Sequence, residues 1–136
     1  MEINIKTLEV TEVEAAVTVD ANTPLQQVTA IEIAGDVDAN TAALVQAKVL
    51  PLAQPKAKLL LDMTKVPYMS SAGLRMLLSL YRHLGSKNGQ IVLVGLAEEI
   101  KDTMSITGFL DFFTTRDTLD SGLEALNVKP MVLHTS

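Results

Sequence analysis

Apolar and polar residues alternate through the first third of the chain. In "EINIK" the apolar positions are Ile3 and Ile5; in "VEAAVTV" they are Val13, Ala15, Val17 and Val19; in "VTAIEIAG" they are Ile31 and Ile33. A period of two turns one face of a strand inward and the other toward solvent. Between the last two stretches, "DANTPLQQ" breaks the alternation with Asn22 and Pro24, as a turn or short loop does. These two stretches are therefore expected to pair as an antiparallel hairpin. The period changes in "GDVDANTAALVQAKVL". Asp38 or Asn40 is placed to cap a helix by accepting an orphan backbone N–H, and Val45 and Val49 share one helical face. Pro51 and Pro55 then bound a linker.

The remainder alternates between unbroken apolar runs and helical stripes. "KLLLDM" and "QIVLVGL" have the continuous apolar character of strands covered on both faces. After the loop "TKVPYM", Leu74, Leu77, Leu78, Tyr81 and Leu84 form a single helical stripe, with Gly85 where a C-cap belongs. "EEIKDTMSITG" predicts a helix with acids at its start and Gly108 after its end. "FLDFFTT" predicts a short strand, and "TLDSGLEALN" a last helix carrying Leu119, Leu123 and Leu126. The final "VKPMVLHTS" reads as a loose tail. Strand–helix alternation implies crossover connections, parallel neighbours and helices packed on a sheet, an α/β fold.

Length and composition narrow the function. A chain of 136 residues is expected to form one domain, 1–136. Its net charge of −5 and eleven dispersed basic residues disfavour a phosphate-backbone surface, so no direct nucleic-acid partner is expected. The absence of cysteine removes disulfides, thiolate metal sites and a cysteine nucleophile. No secretory leader or membrane span is recognised, so a cytoplasmic protein is expected.

Most catalytic constellations lack parts. No Walker loop or Gly-rich dinucleotide fingerprint occurs. His83 and His134 read as surface histidines, and neither has the company that a zinc site needs. Ser71 has Gly73 two residues on but Met69 two residues before, which is half of a hydrolase nucleophile elbow. No enzyme, cofactor or metal site is expected. Asp36, Asp38 and Asp62 stand at strand ends, as caps and turns or as an acidic rim near the serines. Ser70 and Ser71 open the clearest helix, and capping is the plain reading of both. Tyr68, Met69 and Met76 flank them, with core packing the first reading and a docking patch the second.

The stretch "LLLDMTKVPYMSSAGLRMLLSLYRHL" resembles the core of the STAS family, the bacterial anti-sigma-factor antagonist domains. The matching features are an apolar strand ending in Asp62, a spacer with Met69, and Ser-Ser-Ala-Gly-Leu opening an apolar helix. "IEIAGDVDANTAALV" and "IVLVGLAEEIKDTMSITGFLDFF" are similar to the preceding and following family segments. The resemblance covers about 28–126, leaving 1–27 as extra N-terminal strands and loop, and 129–136 as a tail. It implies a single STAS-like α/β domain, a mixed sheet with about four helices packed on it. It further implies a regulatory binding protein whose partner is an anti-sigma factor that is also a serine kinase of the ATP-binding type. Phosphorylation at the helix start breaks that binding, and a PP2C-type phosphatase restores it.

By position, the acceptor implied is Ser71, with Ser70 as second choice because many members carry Asp there. Asp36, Asp38, Thr41, Met69, Ser70, Gly73 and Leu74 would lie at or near the partner surface. Related domains serve signalling assemblies without being phosphorylated. The alternative is thus a scaffold, or a domain that holds an anion or nucleotide at the helix start.

Overall fold

The computed structural model describes residues 1–12, 26–126 and 128–130. Two antiparallel strands come first, β1 (Glu2–Glu12) and β2 (Gln26–Ala34). Crossover units follow: α1 (Ala39–Val49), β3 (Lys58–Lys65), α2 (Ser71–Gly85), β4 (Gln90–Val94), α3 (Glu98–Ile106) and β5 (Thr114–Arg116). The short helix α4 (Leu119–Ala125) and strand β6 (Val128–Pro130) complete the described order. The sheet runs β5-β4-β3-β2-β1-β6. Strands β2 to β5 are parallel to one another, while β1 is antiparallel to both β2 and β6.

The unbroken apolar run of β3 is explained by cover on both faces. Leu59, Leu61 and Met63 point into the main core, which Val45 and Val49 of α1, Leu74, Leu77, Leu80 and Leu84 of α2, and Ile100 and Met104 of α3 share. Leu60 points the other way, into a smaller core with Val28, Val92, Val94, Leu123 and Leu126. Each such side chain contributes about 1.5–3 kcal/mol when fully buried. Three helices therefore seal one face, and α4 alone packs on the other. Gly122 permits that packing, because a Cβ there would stand 2.7 Å from Val94 Cγ2 and 2.9 Å from Leu60 Cδ1.

The structure corrects several local expectations. The partner of β2 is the first stretch of the chain, with Ile3 opposite Ile33 and Ile5 opposite Ile31. The stretch from Val13 to Val19 lies outside the described residues. Residues of "FLDFFTT" form a 3-10 turn, Phe109–Phe112, before the strand begins at Thr114. Part of the expected tail is strand β6, paired with β1; 131–136 lie outside the described residues. On α2 the buried arc is wider than the predicted stripe and takes in Gly73, Met76 and Leu80, while Leu78 and Tyr81 are half-buried. The cause is that α2 packs on α1 as well as on the sheet. Tyr81 instead stacks edge-on against Phe113, with ring centroids 5.4 Å apart. Gly85 ends the helix itself, and Ser86 is the cap.

Candidate functional site

The C-terminal ends of adjacent parallel strands are a common place for sites in α/β folds. Here the loops leaving β2 and β3 are bound to each other. Val37 and Met69 form a parallel β-bridge. The Val37 N–H donates to the Tyr68 carbonyl at 2.9 Å, and the Ser70 N–H donates to the Val37 carbonyl at 2.8 Å. One residue beyond the bridge on each chain stands a helix cap, Asp38 for α1 and Ser70 for α2. The starts of two helices, about 30 residues apart in sequence, are thereby held side by side.

Asp38 caps α1 through a reciprocal box. Its Oδ1 accepts from the N–H of Asn40 at 2.9 Å and of Thr41 at 3.0 Å, and its own N–H donates to Thr41 Oγ1 at 2.8 Å. The Thr41 hydroxyl also lies 2.7 Å from the Asp36 carbonyl and 3.1 Å from Asp38 Oδ1, either of which can accept its hydrogen bond. The Thr41 N–H, then the Thr41 hydroxyl and the Asn40 N–H, hold the Asp38 carboxyl below the usual carboxylate value against a smaller desolvation. Asp38 is thus a fixed negative charge at the helix mouth. The Asp36 side chain is exposed.

The two serines are not equivalent. Ser70 is half-buried and is the α2 cap: its Oγ accepts from the Gly73 N–H at 3.4 Å, and its carbonyl accepts from the Leu74 N–H at 3.1 Å. Ser71 is the first helical residue and is exposed, and its hydroxyl makes no hydrogen bond to another described residue. Beneath them, Gly73 is buried. A Cβ there would overlap Met69 Cγ and stand 2.9 Å from Val37 Cγ1, so only glycine lets the first turn of α2 rest on the bridge.

Of the residues named from the sequence, Asp36, Asp38, Thr41, Ser70 and Ser71 are brought together at the surface. Met69, Gly73 and Leu74 are buried and support that surface from below. Met76 is buried too, but Tyr68 departs from the core reading and is 53% exposed beside the serines. Asp62 belongs elsewhere: the strand expected to end there runs on to Lys65, so Asp62 lies within β3, its carboxylate accepting from the Thr64 N–H at 3.0 Å. The sequence reading passed over Arg75, one turn after Ser71. It lines a groove of about 270 Å³ between α1 and α2 with Ala39, Ala43, Gln46, Ala72 and Ser79. Leu44 stands 54% exposed on α1. Their signal was faint: one cation and one apolar residue off the buried stripes. Among the described residues, no three His, Cys, Asp or Glu side chains gather as metal ligands, and no helix is long and apolar enough to cross a membrane.

Comparison with known proteins agrees with this geometry. Residues 18–122 match the STAS domain family, and the chain belongs to it. A Bordetella bronchiseptica relative, BtrV, designated provisionally as an anti-sigma factor antagonist, is 31% identical over 68 residues. That match spans 50% of this chain and 59% of BtrV, short of two thirds of the relative's length. The crystal structure of an anti-sigma factor antagonist from Mycobacterium paratuberculosis superposes with a TM-score of 0.64 at 25% identity, covering 90% of this chain and 93% of that one. The phosphorylated form of SpoIIAA, a Bacillus cell fate determinant, superposes with a TM-score of 0.58 at 16% identity, covering 73% and 90%. At that identity the likeness speaks for the fold alone.

Proposed function

We propose that this protein is an anti-sigma factor antagonist, a cytoplasmic binding module without catalytic activity, switched by phosphorylation of Ser71. The unmodified surface at the two helix mouths binds an anti-sigma factor that is also an ATP-dependent serine kinase. In the reverse-signal step, Ser71 Oγ bonds to the γ-phosphorus of ATP, the bond to the β-phosphate oxygen breaks, ADP leaves, and the hydroxyl proton passes to a base on the kinase. A PP2C-type phosphatase hydrolyses the ester.

The observation that carries this reading is the division of labour between the serines. Ser70 is spent on capping, whereas the Ser71 hydroxyl is exposed and uncommitted. A phosphate adds about −1.5 to −2 charges at pH 7. It would sit at the start of α2, where free N–H groups accommodate it without refolding. It would also stand beside the ionised Asp38 and the exposed Asp36, turning the contact plate strongly anionic. Like charge and desolvation at an interface are enough to cut affinity, since ~1.4 kcal/mol is tenfold.

The test is binding to the cognate kinase, measured by calorimetry with unmodified protein, protein phosphorylated by that kinase, and the Ser71→Ala and Ser71→Asp variants. Unmodified and Ser71→Ala proteins are expected to bind alike, and the phosphorylated and Ser71→Asp proteins at least tenfold more weakly. Equal binding by all four refutes the switch and returns the site to a scaffold or anion-holding role.

A further inference from the structure

One long edge of the sheet is only partly covered among the described residues. Strand β6 pairs with β1 only at Val10–Glu12, leaving the outer edge of β1 from Glu2 to Glu9 without a described partner. The opposite edge, β5, is three residues long. Sheet edges are usually blunted by proline, a bulge or a charge aimed at the approaching strand. The Glu2–Glu9 segment has no proline, and its pairing with β2 runs without a bulge. It carries charges at Glu2, Lys6 and Glu9, the cationic guard residue being Lys6.

We infer that this edge pairs with the same edge of a second copy, β1 against β1 about a two-fold axis at Asn4, extending the sheet across a dimer. The register follows from the side chains. Centring antiparallel strands on Asn4 sets Glu2 opposite Lys6 of the second copy, and Ile3 opposite Ile5, each pair occurring twice by symmetry. Opposite charges directly across a pair of strands stabilise it, as do β-branched pairs. A shift of two residues either way sets Glu2 against Asn4 or Leu8 and loses the match. The guard residue therefore meets its counter-charge in this register alone among the three. Ile5, 42% exposed, lies on this strand and gains an apolar neighbour in the dimer. The charged pairs sit on the sheet face that Asn4 and Glu32 share, where Asn4 Nδ2 donates to Glu32 Oε1 at 3.3 Å. They lie on the α4 side of the sheet, whereas Ser71 opens a helix on the other side; Glu2 itself stands level with the C-terminal ends of β2 and β3, opposite Ala34.

Sedimentation equilibrium of the full chain tests the proposal, with Glu2→Lys, Lys6→Glu and the Glu2→Lys/Lys6→Glu double variant. The wild type is expected to show a reversible monomer–dimer equilibrium below about 1 mM. Each single exchange creates two like-charge pairs and is expected to weaken the dimer about tenfold; the double exchange restores it to within about threefold. All four proteins are expected to bind the kinase partner alike, which separates this result from the fate of the Ser71 reading. A wild type that remains monomeric to about 1 mM, leaving the edge to another occupant such as residues 131–136, overturns the inference. A double variant no stronger than the singles overturns it equally.

Discussion

Replacing each serine at the start of α2 separately divides structure from signal. Ser70→Ala removes the cap that accepts from the Gly73 N–H at 3.4 Å. Losing a serine cap costs about 0.5–2 kcal/mol, and a bond this long belongs at the lower end, roughly 0.5–1 kcal/mol. With a urea slope of about 1.5 kcal/mol per molar for a domain of this size, the midpoint should fall by roughly 0.3–0.7 M. Ser71→Ala removes an exposed hydroxyl that bonds to no described residue, so its midpoint should stay within about 0.3 M of the parent. Phosphate incorporation by the cognate kinase, read by intact mass, should show the opposite pattern: lost in Ser71→Ala, retained in Ser70→Ala. A Ser71→Ala protein destabilised as much as Ser70→Ala would refute the assignment of the cap. Phosphate persisting on Ser71→Ala would refute the assignment of the acceptor.

Other outcomes follow from the same geometry. Gly73→Ala forces a methyl group into Met69 and Val37 and should cost about 1–3 kcal/mol in urea unfolding, with weakened partner binding even though residue 73 is buried. Leu60→Ala should cost about 2–5 kcal/mol by opening a cavity under α4, while leaving phosphorylation of Ser71 unchanged. Asp38 has its folded pKa lowered, so its stabilisation is present above the ordinary carboxylate value and is lost as pH falls through the lowered one. Asp38→Asn should accordingly flatten the stability profile below about pH 4, measured by urea midpoints across that range.

Much of this architecture could be read from periodicity. The continuous runs that became β3 and β4 and the stripes that became α1, α2 and α3 follow from burial on two faces or one. What escaped depended on contacts distant in sequence. The antiparallel partner of β2 is decided by which strand reaches its free edge, and alternation in residues 13–19 looked as good as that in 2–6. Leu80 lies off the predicted stripe and is nonetheless buried, since α2 packs on α1 as well as on the sheet, which no property of α2 announces. The Phe109–Phe112 segment has the aromatic content of a strand but folds as a 3-10 turn after the left-handed Gly108, packing near Tyr81. The site residues were legible as a group through family resemblance. The resemblance also ranked Ser71 over Ser70 as acceptor, but which of the two caps α2 was not legible, since both suit a helix start and only the hydrogen bonds separate them. Tyr68 was misjudged because an aromatic before a helix is as easily core as surface.

The lacing of Val37 to Met69 also bears on how such a protein diversifies. Because backbone bonds and a buried glycine hold the two mouths in place, the outward positions between them carry little of the architecture. Asp36, Ala39, Tyr68 and Ser71 can each be exchanged while the scaffold beneath stays put. A lineage of duplicated genes could thus acquire separate, non-crossing allegiances to different partners by altering a handful of exposed letters, with the fold inherited intact.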